Sequence, residues 1–367
     1  MPRTQVSRAL IKGHATVEGT RGFSNQFTHL RTETFYRPLV NGMVVSSLGL
    51  GTYLGECDDS EDARYISAVI AALERGVNLL DTAINYRCQR SERAIGSAIQ
   101  KAVSAGGVKR EQIVVCTKGG YIPLEKNPPA TREDYRSFLE EEYFIRGVMD
   151  PADVIAGGHC LSARFLEDQI ERSRRNLGVE TVDIYYLHNP EQALDHLARP
   201  KFLTLVRDAF AVLERAVEEG FIGCYGCATW NGFRVAPEAK NHLSLEELIA
   251  LAREVAGASH HFNVVQLPIN LAMTEAVRAP TQCVGRERVP LLEAAHRLRV
   301  SVVGSATLMQ SQLTHDLPAQ MHTAFPGFAT DARRAIAFAQ SLPLSSALVG
   351  MKSAFHLEEN LAGPDVS

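Results

Sequence analysis

Four side chains at separate points of the sequence, Asp81, Tyr86, Lys118 and His188, form a set that can deliver a proton to an oxygen atom. Lys118 closes the run IVVCTK (113–118), where alternation places Val114, Cys116 and Lys118 on one face. A buried ammonium without a counter-charge is costly, and the nearest candidate partner is Asp81, the end of VNLLD. Neighbouring strands lie about 4.8 Å apart, within reach of such a pair. Tyr86 follows five residues after Asp81, and His188 closes VDIYYLH (182–188). A phenol of ordinary pKa, about 10, is a poor acid at neutral pH unless a nearby cation favours its ionised form. Lys118 is such a cation. With Asp81 holding the ammonium and His188 hydrogen-bonding the oxygen that Tyr86 protonates, the set suits protonation of a developing alkoxide. Taken singly, Asp81 also reads as a cap, Tyr86 and Lys118 as surface residues, and His188 as a satisfied buried imidazole. Barrels also place a lysine at a strand end as the nucleophile of a Schiff-base lyase, which leaves a runner-up reading of Lys118 open.

The elements that must position these residues follow from hydrophobic patterning. Short β-branched runs at 46–52, 77–82, 113–118, 182–188, 222–229, 262–269, 300–306 and 345–350 predict eight strands. Between them apolar residues recur at helical spacing, as in Ile66, Val69, Ile70 and Leu73, or Phe210, Leu213 and Val217. Eightfold alternation predicts a parallel sheet with outer helices, closed as a (β/α)8 barrel. An open dinucleotide fold should carry G-x-G-x-x-G after its first strand, a spacing that Gly49, Gly51 and Gly55 miss by one. Ahead of the barrel, FYRPL and MVVSSLGL flank Asn41-Gly42, which predicts a hairpin with a two-residue turn. Residues 1–34 are expected to be an N-terminal extension and 35–367 the barrel domain. Residues 119–161 are too long for an ordinary strand-to-helix connection and predict an insertion. In it Thr131 and Asp134 resemble a helix start, and Tyr135, Phe138, Leu139 and Tyr143 could make one apolar face. A loop at that end of a barrel is expected to overhang the active site.

Composition narrows the partners. With 45% hydrophobic and 22% charged residues the chain can bury a large core, and a net charge of -4 gives no electrostatic support for nucleic acid or an anionic membrane. No apolar run reaches the roughly 20 residues of a membrane span. Seven scattered cysteines are unlike a disulfide framework, so a reducing cytoplasm and a small-molecule partner are expected. The basic balance within residues 1–25 fits an ordinary surface extension better than a transit peptide. Cys224 and Cys227 lie on opposite faces of one strand, and His260-His261 sits at the structural end of a barrel, so no metal site is expected. Trp230 and Phe233 read equally as pocket lining or loop packing.

In LLDTAINYRCQRSERAIGSAI, IVVCTKGG, VDIYYLHNPE and VGMKSAFHLEENL the chain resembles the aldo/keto reductase superfamily, over roughly residues 36–362. The resemblance implies a (β/α)8 barrel with a plugging hairpin, a tetrad of Asp81, Tyr86, Lys118 and His188, and reduction of an aldehyde or ketone with hydride from NADPH. It places Gly51, Thr52 and Tyr53 beside the nicotinamide ribose and substrate, and Gln266 near the carboxamide; Asp81, Thr229, Ser305 and Leu308 join them as expected cofactor contacts. Gly350, Lys352 and Ser353 match the stretch that receives the adenosine 2′-phosphate, and Glu359 and Asn360 match adenine contacts. A helix N-terminus and the Lys352 charge favour NADPH over NADH. Two departures alter the nicotinamide pocket: the family's usual Ser-Asn reads Ala228-Thr229, and Ser305 stands where many relatives have tyrosine. They leave open a regulatory subunit that binds nucleotide without turnover. The substrate and the oligomeric state are not readable from these residues.

Overall fold

The computed structural model describes residues 9–30 and 35–363. Eight parallel strands close into a barrel: β1 (Leu48–Gly51), β2 (Leu79–Asp81), β3 (Val114–Gly119), β4 (Val182–His188), β5 (Ile222–Ala228), β6 (Phe262–Pro268), β7 (Ser301–Ser305) and β8 (Ser346–Gly350). β8 pairs with β1 to complete the ring. Every predicted strand is present, and helices surround the ring, including α1 (Asp59–Glu74), α2 (Arg90–Ser104), α3 (Ala163–Leu177), α4 (Arg199–Glu218), α5 (Leu245–Ala256), α6 (Leu291–Leu298), α7 (Asp331–Ser341) and α8 (Ala354–Leu361).

The period of two along each strand sorts side chains between two cores. Val115, Tyr185, Leu187 and Cys227 face outward into the large core shared with the helices. Leu79, Val114, Cys116, Ile184, Tyr186, Cys224, Val264, Val303 and Leu348 fill the barrel interior. Cys224 and Cys227 thus fall in different cores, as their odd spacing requires. One pleat farther along, the inward positions change from apolar to Asp81, Lys118, His188, Gln266 and Ser305, so the interior is dry at its base and polar at its C-terminal mouth. On β1 a Cβ at the inward position Gly49 would come 2.6 Å from Leu79 Cδ2 and 2.8 Å from Leu348 Cδ2, so both leucines would have to shift to admit one.

The base is closed by a hairpin, Tyr36–Pro38 against Val44–Ser46, whose Leu39, Met43 and Val45 enter the interior core with Ala15. Its turn differs from the expected two-residue Asn-Gly type. Gly42 N–H bonds Leu39 C=O, and in the turn Gly42 alone takes positive φ, +88°. The bend therefore centres on Val40-Asn41, with Gly42 following as the left-handed residue of a longer loop. Residues 9–30 are tied to the same end: Ala15 N–H bonds Asp183 Oδ1 at 2.7 Å, Ile11 pairs with Val179, and Phe23, on the helix Val17–Ser24, is buried in the large core. Among the described residues the extension is thus packed into the barrel base. Residues 1–8 and 31–34 of the expected extension lie outside the described residues.

The 119–161 insertion carries the helix Arg132–Leu139, with Thr131 and Asp134 forming the capping box its sequence announced. Leu139 and Tyr143 pack with Ile122, Met149, Cys160 and Phe165 of α3 in a small separate core. The expected overhang is limited: the insertion leans on α3, and Tyr121 is its single contribution to the mouth cavity.

Candidate active site

Asp81, Lys118 and His188 are strand-end residues whose side chains share the inner face, and the chain after Asp81 returns Tyr86 to the same mouth. Lys118 Nζ donates to Asp81 Oδ1 at 2.5 Å and to Thr82 C=O at 2.7 Å, while Gln266 Nε2 donates to Asp81 Oδ2 at 2.8 Å. Both carboxylate oxygens are therefore satisfied, which is what keeps a buried ion pair tolerable. The ammonium lies 5.1 Å from the centre of the Tyr86 ring. His188 meets Tyr86 edge-on at 5.7 Å and Tyr121 at 4.8 Å. Its backbone C=O is held at 2.8 Å by His159 Nε2, and its own Nδ1 is buried without a partner.

Burial sets the protonation states. It pulls the Lys118 ammonium down, but Asp81 and Tyr86 outweigh it, and the net shift is upward. Burial pushes the Tyr86 phenol up to about 12 against the opposing pull of Lys118. This differs from the expectation of a phenol made unusually acidic: desolvation wins, and the lysine restrains the rise. Burial, then Lys118 and His159, holds His188 well below the ordinary histidine value, so its imidazole is neutral at pH 7.

Asp81, Tyr86 and His188 line a cavity of about 570 Å³ at the mouth, a size suited to a small molecule, with Lys118 buried behind them and bonded to Asp81. Of the expected cofactor contacts, Gly51, Thr52, Tyr53, Asp81, Thr229, Gln266, Ser305, Leu308 and Gly350 all border it. Trp230 lines it too, whereas Phe233 is buried in the large core, which separates their two readings. A second cavity, about 320 Å³, is bordered by Arg64, Ser67, Lys352 and Ser353; residues 350–353 run between the two. Ser353 caps α8, accepting from His356 N–H at 3.2 Å. Glu359 and Asn360 border neither cavity. Asn360 is buried and gives its C=O to Arg333.

Residues missed in the sequence complete the picture. Lys352 Nζ is 2.5 Å from Glu61 Oε1, a buried carboxylate on α1 that also lies 3.4 Å from Arg64. Glu61 lies in the first turn of α1, and nothing in the local sequence marks its long-range partner. Gly55, at φ +130°, leaves it room: a Cβ there would fall 2.1 Å from Glu61 Oε1. Thr307 is buried beside the mouth cavity with its hydroxyl unpartnered, like that of Thr229. His261 at the α5–β6 junction bonds Glu214 at 2.7 Å, a structural pairing.

The aldo/keto reductase family model matches residues 47–251, and the chain belongs to that family. It is 27% identical over 191 residues to the NADH-specific methylglyoxal reductase of Escherichia coli (strain K12), covering 51% of this chain and 49% of that protein. The match thus spans about half the length of this curated relative. Among solved structures, an aldo/keto reductase of Klebsiella pneumoniae bound to NADP and acetate superposes with a TM-score of 0.59 at 17% identity, covering 89% of each chain. The holo form of an aldo-keto reductase from Bacillus halodurans gives 0.58 at 17% identity, covering 91% of this chain and 93% of that one. At these identities the likeness establishes the barrel fold. Among the described residues no helix is long and apolar enough to cross a membrane.

Proposed function

We propose that the chain is an NADPH-dependent reductase of aldehydes or ketones, acting on a small-molecule carbonyl at the barrel mouth with Tyr86 as proton donor. The observation that carries this reading is one cavity bordered by Asp81, Tyr86 and His188, with Lys118 bonded to Asp81 and 5.1 Å from the centre of the Tyr86 ring. The residues present suit a nicotinamide cofactor: the buried hydroxyls of Thr229 and Thr307 and the Nδ1 of His188 lack partners in the protein, and each borders the mouth. Bound there, the cofactor supplies hydride to the carbonyl carbon. His188 and Tyr86 hold the carbonyl oxygen, Tyr86 gives it a proton, and Lys118 stabilises the phenolate left behind. Asp81 keeps the ammonium in place, and Gln266 holds Asp81. Gly51, Thr52, Tyr53, Ser305 and Leu308 shape the nicotinamide end. Lys352 and Ser353, with Gly350 leading to them, would receive the 2′-phosphate.

The geometry weighs against the lyase reading. A Schiff base needs a neutral amine, whereas Lys118 is held as an ammonium by two oxygens and Asp81's charge. Turnover of NADPH against a panel of carbonyl compounds, beginning with methylglyoxal because a relative reduces it, tests the proposal. Tyr86→Phe should lose turnover yet keep cofactor binding. Full activity in that variant refutes the assignment, and binding without turnover on every carbonyl supports a regulatory nucleotide-binding role instead.

A further inference from the structure

Cys57 and Cys88 lie on different loops, one after β1 and one after β2, with their sulfurs 3.7 Å apart. Each residue directly precedes the N-cap of a barrel helix, Asp58 for α1 and Gln89 for α2. Cys88 also stands two residues beyond Tyr86. The contact is built rather than incidental. Arg87 reaches across to the backbone on both sides of Cys57, donating to Glu56 C=O at 2.7 Å and Asp58 C=O at 3.3 Å, and it pairs with Asp62 at 2.6 Å. Arg90 adds an ion pair to the same Asp62 at 2.7 Å. Arg87, Cys88 and Gln89 all have positive φ, 48°, 52° and 69°. Non-glycine residues adopt that conformation only where their surroundings impose it. The strained turn directs the Cys88 thiol at Cys57, while Cys57 remains partly exposed.

We propose that Cys57 and Cys88 are a redox modification site: a peroxide oxidises them to a disulfide that ties the β1 loop to the Tyr86 loop and reversibly lowers turnover. The Cys57 thiolate attacks one peroxide oxygen. The O–O bond breaks, hydroxide leaves and takes a proton to become water, and Cys57 becomes a sulfenic acid. The Cys88 sulfur then attacks the Cys57 sulfur; its proton leaves with the displaced hydroxide as a second water. Two thiols lose two electrons and the peroxide gains them. Burial holds the Cys88 thiol above its ordinary value, which assigns first attack to Cys57 and resolution to Cys88.

Closing the bond brings the sulfurs from 3.7 Å to about 2.0 Å. That contraction sits two residues from a phenol whose placement must hold to about 0.5 Å. Turnover should fall on the order of tenfold. This effect rests on Tyr86 as the proton donor; the bond itself does not.

The test treats the purified full chain with hydrogen peroxide, then counts free thiols, maps peptides by mass and measures NADPH turnover before and after dithiothreitol. Expected are a Cys57–Cys88 linked peptide, loss of two thiols and a fall in turnover that dithiothreitol reverses. Cys57→Ser and Cys88→Ala should keep resting turnover and resist peroxide, and either variant suffices if the other fails to fold. Absence of the linked peptide overturns the site. A linked peptide with unaltered turnover, or equal peroxide loss in both variants, overturns the switch. Because mass and thiol count read the bond without activity, failure of the Tyr86 assignment remains distinguishable.

Discussion

Replacing Glu61 by glutamine should tighten NADPH binding while leaving NADH nearly unchanged. Lys352, the expected partner of a 2′-phosphate, is already bound by a carboxylate 2.5 Å away whose side chain is 6% exposed, and Arg64 lies 3.4 Å from that carboxylate's other oxygen. A phosphate seated on the far side of the ammonium would stand about 6 Å from Glu61. At that range each unit of repulsion is worth about 0.7 kcal/mol in bulk-water dielectric and about 2.8 kcal/mol at an effective dielectric of about 20. The Lys352 side chain is 35% exposed, and salt screens the pair, so the lower part of this range applies. About 1.4 kcal/mol, or tenfold in Kd, is the expected gain for NADPH. NADH carries no 2′-phosphate and should shift by less than about threefold, on the same affinity scale. Trp230, the chain's one tryptophan, borders the mouth cavity, so quenching of its emission reads both affinities without turnover. Equal tightening of both cofactors would show that the substitution acts through loop mobility. Weaker NADPH binding would show that Glu61 orients Lys352 rather than competing with the phosphate. Either result refutes the reasoning.

Tyr86→Phe should lower kcat by about 10²–10⁴-fold, the usual contribution of a positioned proton donor, with cofactor Kd within a factor of a few by Trp230 quenching. Lys118→Met leaves Asp81 buried against Gln266 alone and should cost about 3–5 kcal/mol of stability in a urea titration, besides abolishing turnover; a loss below about 1 kcal/mol would mean that water reaches Asp81. Thr229→Val and Thr307→Val should each weaken cofactor binding several-fold, since each removes a hydroxyl with no other partner; unchanged affinity would take both residues out of the site. His159 is held down to about 4 by burial, against the bond to His188 C=O. Its folded value is below its unfolded one, so the unfolded chain binds the extra proton and stability is lost as pH falls from about 6.5 to about 4, by about 3 kcal/mol in all. Urea midpoints measured across that window should flatten in His159→Gln, and an unchanged slope would rule out this histidine as the cause.

The architecture was legible because period and punctuation agree. Every strand of the barrel falls on its own short apolar run, and inward and outward residues obey the same alternation that placed Val114, Cys116 and Lys118 on one face. The catalytic candidates were legible for the related reason that three of them stand at the ends of neighbouring strands on the inner face; the register sets Asp81 opposite Cys116, and the long Lys118 side chain spans the remaining pleat to reach it. What escaped depends on contacts between remote segments or on backbone conformation. Glu61 meets Lys352 across 291 positions, and nothing in either local pattern marks the pair. The hairpin turn was misplaced because Asn-Gly suits two turn types, and their difference lies in which residue takes positive φ. The insertion's helix start was readable from Thr131 and Asp134, but its direction was not. Phe165 of α3 draws Leu139 and Tyr143 outward into a shared core, leaving Tyr121 alone at the mouth.

The upward shift of Tyr86 bears on how such a site would work. A phenol held at about 12 keeps its proton at neutral pH, so the resting group is a hydrogen-bond donor ready to meet a carbonyl oxygen. An alkoxide formed by hydride arrival is far more basic than phenolate, and the transfer stays downhill despite the shift. Lys118 matters at that moment, because the phenolate it faces is partly withdrawn from water, and an ammonium 5.1 Å from the ring acts through a lowered local dielectric. Were the lysine neutral, burial alone would govern, and the phenol would surrender its proton only at much greater cost. Asp81 and Gln266 therefore act on the reaction through one variable, the charge and position of Lys118. Burial, which raises the barrier to a free phenolate, is also what makes that single charge strong enough to lower it.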